Sequence, residues 1–346
     1  MRLKLPKEQS ALPIWNTPAP PDLAAAKFYY KGHSSRLPIR RNRGAVPFSW
    51  QTFHAVEVEK IRGITFYFYF PNFCRIHIHY EDEPSVTDDR YERFTNTRYR
   101  ESVWVYLPIP KNDRLLALDI RKARERNGLF PGLNILARTR LVGDIIIGQQ
   151  TVTPFKDLCL SNSAPQTIVY GKGLDGSPIE FFGTHCKSPE QAEPPKPFSR
   201  LKYGSHLLSL DVPPFYSWAS LDDVTSTLTF NERGTRLCKG IMFQYRNGGC
   251  RTVGQCRWHV DSTIRVDHPR VFQVKRDNRP VRRDGVNQLV HLVQVAFQHS
   301  EEEQAHKGWE CHPLKGYVEF FFRDISSYLV FTADKACPYV DMSVHK

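Results

Sequence analysis

The chain has 346 residues, of which 40% are hydrophobic, and it carries a formal net charge of +12 at pH 7. A chain of this length can bury the cores of two domains, and its dense apolar runs exclude a disordered protein. No apolar run is long enough to span a bilayer, and the first 27 residues have no signal-peptide core. We therefore expect a cytoplasmic or nuclear protein with no membrane partner, whose eight cysteines are reduced.

The composition favours strands over helices. The 22 phenylalanines and 15 tyrosines suit half-buried pleated surfaces, and the 25 prolines and 20 glycines imply many turns. We predict a mainly β fold with two β-rich, sandwich- or prism-like domains and few short helices. The expected units are a flexible, basic, Pro-rich arm (1–45), a first β domain (46–186), a Pro-rich linker (187–203) and a second β domain (204–346).

The first strong element of the chain is an apolar run at 63–70, GITFYFYF. A turn at Pro71-Asn72 and an alternating run at 74–80 complete a predicted hairpin. Asp175-Gly176 is another hairpin turn signal. Further strands are predicted at 103–109, 115–120, 140–147, 166–170 and 179–182.

The strongest hairpin signal lies in the second half, at 240–260. Apolar runs flank Asn247-Gly248, and Asn-Gly readily takes the positive φ angles that tight hairpin turns need. Other strands are predicted at 205–210, 224–230, 237–245, 250–260, 288–298, 317–322 and 328–331. The run at 62–68, RGITFYF, resembles KGIMFQY at 239–245. Two related domains would explain this similarity, and so would chance between two β-rich segments.

Three basic clusters lie among residues typical of loops. The first holds Arg36, Arg40, Arg41 and Arg43, the second Arg121, Lys122, Arg124 and Arg126, and the third Lys275, Arg276, Arg279, Arg282 and Arg283. Their simplest interpretation is solvated loops. Binding to nucleic acid or another anionic surface, and nuclear import, are the alternatives.

The sequence offers no complete metal site or catalytic motif. Alternation places Arg75, His77, His79 and Glu81 on one strand face, but Arg75 would repel a cation there. Cys250 and Cys256 do not have structural zinc spacing and are interpreted as buried thiols on one strand face. Because phosphate-binding loops, nucleophile elbows and dinucleotide fingerprints are missing as well, we predict no metal and no cofactor, and whether the protein is an enzyme stays open.

The second half of the chain is similar to a set of uncharacterised proteins of filamentous fungi. The similarity rests on FYSWASLDDV at 215–224, CKGIMFQYRNG at 238–248, VGQCR at 253–257 and GYVEFFF at 316–322. Short strands such as DGSPIEFFG at 175–183 also resemble those of jacalin-like lectins, which implies a β-prism by analogy of fold alone. No activity follows from either resemblance.

Our leading hypothesis is a non-enzymatic recognition module that binds a carbohydrate or a protein. The candidate binding residues are Tyr216, Trp218, Arg246, Arg257, His77 and His79, with the first two expected on an aromatic-rich loop. One alternative is an enzyme or accessory protein of a fungal biosynthetic pathway, acting on a small molecule in a β-scaffold cavity. The other is a weak, non-specific nucleic-acid binder.

Overall fold

The mainly β prediction is confirmed. The structure, a computed structural model, describes residues 14–15, 27–30, 52–69, 72–81, 102–123, 133–149, 155–161, 163–171, 179, 181–186, 196–198, 200–201, 214–283, 286–299, 308–332 and 339–340. Apart from one 3-10 turn at Val58–Lys60, the regular structure in these ranges is strand. None of these residues belongs to a helix that could span a lipid bilayer.

The strands of the described residues form seven sheets, and three antiparallel-rich sheets come from the first half of the chain. Their strands are β1 Ile14–Trp15, β2 Lys27–Tyr30, β3 Thr52–Glu57, β4 Ile61–Tyr69, β5 Asn72–Tyr80, β6 Val103–Pro108, β7 Leu115–Ala123, β8 Leu133–Thr139, β9 Gly143–Ile147, β10 Phe155–Leu158, β11 Thr167–Gly171 and β12 Phe181–His185. The strand orders are β1-β3-β11-β12-β2, β5-β4-β6 and β10-β7-β8-β9.

The second half builds four more sheets. Their strands are β13 Arg200–Leu201, β14 Phe215–Ser220, β15 Val224–Asn231, β16 Cys238–Tyr245, β17 Cys250–Gly254, β18 Ser262–Asp267, β19 Val271–Arg283, β20 Val286–Gln298, β21 Glu310–Pro313, β22 Tyr317–Phe322, β23 Ser327–Thr332 and β24 Tyr339–Val340. The strand orders are β14-β22-β23, β17-β16-β15-β18, β20-β19-β21 and β13-β24.

Both predicted hairpins form. β4 pairs with β5 and β16 with β17, each antiparallel. Gly248 takes a φ of +84° in the second turn, whereas Asn247 has no positive φ, so the turn is wider than the two-residue type typical of Asn-Gly. The Asn247 side chain accepts a hydrogen bond from the Gly249 N–H at 2.8 Å. In the first hairpin Asn72 is already the first residue of β5 and pairs with Tyr69 of β4, whereas Pro71 lies outside the described residues.

Several predicted boundaries are wrong. The strand predicted at 140–147 starts only at Gly143, because residues 140–142 form the turn that joins it to β8, a strand the sequence did not reveal. The strand predicted at 250–260 ends at Gly254, whose φ is +72°. Cys256 therefore lies beyond the strand that carries Cys250. The strand predicted at 205–210 and the turn at Asp175-Gly176 lie outside the described residues.

One apolar core contains residues from both halves of the chain. The Phe68 ring of β4 lies 5.3 Å from the Phe215 ring of β14, which in turn lies 5.7 Å from Phe322 of β22. In the predicted linker, Phe198 is buried and the Arg138 guanidinium lies 4.5 Å above its ring. The division into two domains stays a prediction, and apolar packing crosses its boundary.

Candidate functional site

The six candidate binding residues lie in separate parts of the fold. Tyr216 and Trp218 are on β14, His77 and His79 on β5, Arg246 in the β16–β17 turn, and Arg257 in the turns after β17. Each group is therefore considered by itself.

Tyr216 and Trp218 belong to one face of the β14-β22-β23 sheet. The register places Trp218, Glu319 and Val330 in one cross-strand row. The neighbouring rows are Ser220, Tyr317 and Thr332 on one side and Tyr216, Phe321 and Tyr328 on the other. Because side chains two residues apart share a face, these nine positions form a three-by-three array, which we call the Trp218 face.

The prediction of an aromatic loop at this segment is wrong, because residues 215–220 are a strand. Tyr216 is only 2% exposed, so its ring has no free face for a ligand. The ring packs 5.0 Å from that of Phe321, and the hydroxyl donates a 2.6 Å hydrogen bond to Oε1 of Glu319. Tyr216 thus fixes the position of a carboxylate instead of contacting a ligand itself.

Trp218 is half-buried and held from two sides. The Tyr317 ring lies 5.3 Å away in an edge-on arrangement, and the Arg251 guanidinium lies 3.9 Å from the Trp218 ring centroid. Arg251 is 4% exposed and donates hydrogen bonds to the carbonyls of Trp218, Val142 and Asp144, at 2.7, 3.1 and 2.8 Å. The indole is therefore held by a cation–π contact with Arg251, whose guanidinium is fixed by these three hydrogen bonds.

Sequence reasoning missed Tyr317, Glu319 and Arg251 as members of this site. The alternation of 317–322 in a predicted strand could have placed Tyr317 and Glu319 on one face. The contribution of Arg251 had no sequence signal, because it depends on how β17 packs against β9 and β14.

His77 and His79 do share one face of β5, as predicted. Their rings are 4.6 Å apart, and His79 Nε2 shares a 2.7 Å hydrogen bond with Thr65 Oγ1. Burial, reinforced by the nearby imidazoles of His77 and His259, lowers the pKa of His79 to about 3. His79 is consequently neutral at physiological pH. Within the described residues, no three His, Cys, Asp or Glu side chains converge to hold a metal ion.

The two candidate arginines are engaged in ion pairs. Arg257 forms a bidentate pair with the buried carboxylate of Asp261, at 2.8 and 2.5 Å. Arg246 is exposed and lies 3.6 Å from Asp223. The first contact stabilises the loop after β17, whereas the second is a weak surface pair that leaves Arg246 available to solvent.

The seven cysteines among the described residues are free thiols, and three of them, Cys238, Cys250 and Cys256, are buried. Burial raises the pKa of Cys238 to about 12 and of Cys250 to about 11, and raises that of Cys256 well above its ordinary value. The prediction of buried thiols at positions 250 and 256 is confirmed. Their assignment to one strand is wrong, as shown above.

The basic clusters are not all in loops. Arg121 and Lys122 of the second cluster lie on β7, where Arg121 is buried and paired with Asp157 at 2.7 Å. The third cluster, predicted as a loop, lies on β19. The first cluster lies outside the described residues.

No protein-family model matches this chain, and no curated protein is similar to it.

Proposed function

We propose that the protein is a recognition module that binds a carbohydrate at the Trp218 face. The observation that carries the proposal is the placement of two half-buried rings, Trp218 and Tyr317, beside a carboxylate, Glu319, on one sheet face. Sugars present apolar C–H faces, which pack on aromatic rings, and hydroxyl groups, which donate to carboxylates.

The dimensions of this face suit one or two sugar rings. Neighbouring strands lie about 4.8 Å apart and alternate residues of a strand about 6.8 Å apart. Tyr216 and Phe321 are buried against Ala117, Leu136, Ile146 and Phe198. The partly exposed Trp218 and Ser220 rows therefore offer about 10 by 7 Å. A protein partner would need about 800 Å² of contact, many times that area.

The same face favours binding over hydrolysis. Glycoside hydrolysis uses two carboxyl groups on either side of the scissile bond. Of the nine positions of the Trp218 face, Glu319 alone carries a carboxylate. The Tyr216 hydroxyl also donates a 2.6 Å hydrogen bond to Glu319, and this bond orients the carboxylate to accept a hydrogen bond from a ligand.

The proposal is tested by screening the full chain on a glycan array and titrating the best ligand calorimetrically. Tyr317→Ala removes a stacking surface, and Glu319→Gln removes the charge while keeping an acceptor for Tyr216. We expect each to weaken binding about tenfold, as a lost stack or charged hydrogen bond of about 1.4 kcal/mol implies. Tyr80→Ala is the matched control, since Tyr80 is an exposed tyrosine on the distant strand β5.

Two results would contradict the proposal. One is a wild-type chain that binds no glycan on the array. The other is unchanged affinity in both variants of the Trp218 face, with circular dichroism spectra showing that all three variants are folded.

A further inference from the structure

The longest hairpin among the described residues, β19–β20, extends past its third strand, β21. β19 and β20 pair over thirteen residues each, whereas β21 pairs only with residues 271–274 of β19. Beyond Val274, no further strand of the described residues pairs with either edge of this hairpin. We call residues 275–283 and 286–294 the basic ribbon.

The far part of the basic ribbon is exposed to solvent. Residues 278–282 are all exposed, and so are Asn287 and Leu289 on the returning strand. Leu289 is 62% exposed, the largest value among the exposed large hydrophobic residues that the structure describes, and Val281 is 37% exposed. Leu289 is therefore accessible to a partner at the exposed end of the strand pair.

Positive charge is concentrated on this same element. The basic ribbon carries all five residues of the third cluster, against one acidic residue, Asp277. Asp277 pairs with Arg279 at 2.6 Å, but the Arg279 side chain is 58% exposed. Exposed ion pairs of this kind contribute little to stability and break readily. Arg279 can therefore leave Asp277 and contact an anionic partner.

We propose that the far part of the basic ribbon, residues 278–283 and 286–289, inserts into the major groove of B-form DNA, while Val290, Leu292 and Val293 stay buried in the protein body. This groove is about 12 Å wide and 8.5 Å deep, and a two-stranded ribbon with strands about 4.8 Å apart fits it. Cross-strand pairing sets Arg282 opposite Asn287 at the far end. Arginine and asparagine side chains form bidentate contacts with guanine and adenine edges, and Leu289 suits the thymine methyl group.

A small pocket lies at the near end of the basic ribbon. It has a volume of about 140 Å³ and is lined by Arg276, Asn278, His291, Leu292, Val293, Ser327 and Tyr328. Arg276 is held by an ion pair with Glu310 and by a 3.3 Å hydrogen bond to the Leu329 carbonyl. Glu310 offsets part of the Arg276 charge, so affinity comes mainly from the far end.

The test measures binding of the full chain to a fluorescent 20-base-pair DNA duplex by anisotropy, over a range of salt concentrations. Arg279→Gln with Arg282→Gln should weaken binding about tenfold or more and reduce the salt slope by about 0.9, because Arg279 contacts a phosphate whereas Arg282 contacts a base edge. The matched control is Arg236→Gln with Arg246→Gln, which removes the same charge from exposed turns outside the ribbon. We expect this control to stay within about twofold of the wild type, because its arginines make no groove contact.

An RNA duplex of the same sequence separates groove insertion from general charge attraction. Because the major groove of A-form RNA is deep and narrow, a ribbon cannot enter it, and RNA should bind about tenfold more weakly. Equal affinity for the two duplexes would overturn the proposal, as would equal losses in the two double variants or no binding by the wild type at low salt. The proposal is independent of carbohydrate binding, since the Trp218 face is unaltered in all of these variants.

Discussion

Gly254, the last residue of β17, lies where a side chain meets two obstacles at once. Its φ is +72°, and a Cβ added there would lie 2.4 Å from the Lys239 carbonyl oxygen and 3.0 Å from the Cα of Gly240. The left-handed conformation costs a residue with a Cβ about 1–2 kcal/mol, and forcing an extra carbon into packed backbone adds about 1–3 kcal/mol. Gly254→Ala should therefore lower the free energy of unfolding by about 2–5 kcal/mol.

Gly234→Ala is the control that separates these two costs. Gly234 has a φ of +74°, but nothing lies within 4 Å of its added Cβ, so only the backbone cost of about 1–2 kcal/mol applies. Both variants are measured by urea unfolding, with the denaturant slope compared to confirm that the midpoints report stability. If Gly254→Ala loses no more stability than Gly234→Ala, the close approach of β17 to β16 is refuted.

Two further predictions follow from the buried titratable groups. Because the pKa of His79 falls from its ordinary 6.5 to about 3 on folding, the unfolded chain binds more protons between these values, and stability should decrease as pH falls from about 6.5 towards 3. In urea unfolding, His79→Gln should flatten this dependence and His299→Gln, at an exposed position, should not; a parallel loss in both variants would contradict the assignment. Cys256 is buried with a raised thiol pKa, whereas Cys311 is exposed. A thiol reagent at about pH 8 should label Cys311 in the native protein and Cys256 only after unfolding, as mass spectrometry of the peptides would show.

Strands with a buried face were predictable from the sequence. The run at 317–322 coincides with β22, and the hairpin around Asn247-Gly248 forms because its turn chemistry and its apolar pattern agree. β18 was missed because its residues are almost all exposed, which leaves no alternation to detect. It is held in place by pairing with β15, a long-range contact that no local pattern encodes.

The third basic cluster was assigned to a loop because proline, asparagine and aspartate interrupt it. Here the local propensity for a loop is outweighed by the thirteen cross-strand pairs that β19 forms with β20. Pro280 is tolerated because, at that point, β19 has β20 as its one strand neighbour among the described residues, and a missing N–H on an edge costs little. Assigning this cluster to a loop affected the functional interpretation. Arginines on a paired strand can be directed into the major groove of DNA, whereas arginines on a loop cannot.

The Trp218 face depends on residues that are far apart in the sequence. Trp218 and Glu319 become neighbours only when β14 pairs with β22, and Arg251 reaches the indole from β17. A buried guanidinium is stable only when its donors are satisfied, and here the three carbonyls that accept from Arg251 belong to β14 and to the turn and strand around β9. The same three hydrogen bonds that make burial of Arg251 possible also fix the ring it stacks against. The orientation of Trp218 is therefore a property of the folded core, and a ligand that stacks on this face meets a ring already held in position.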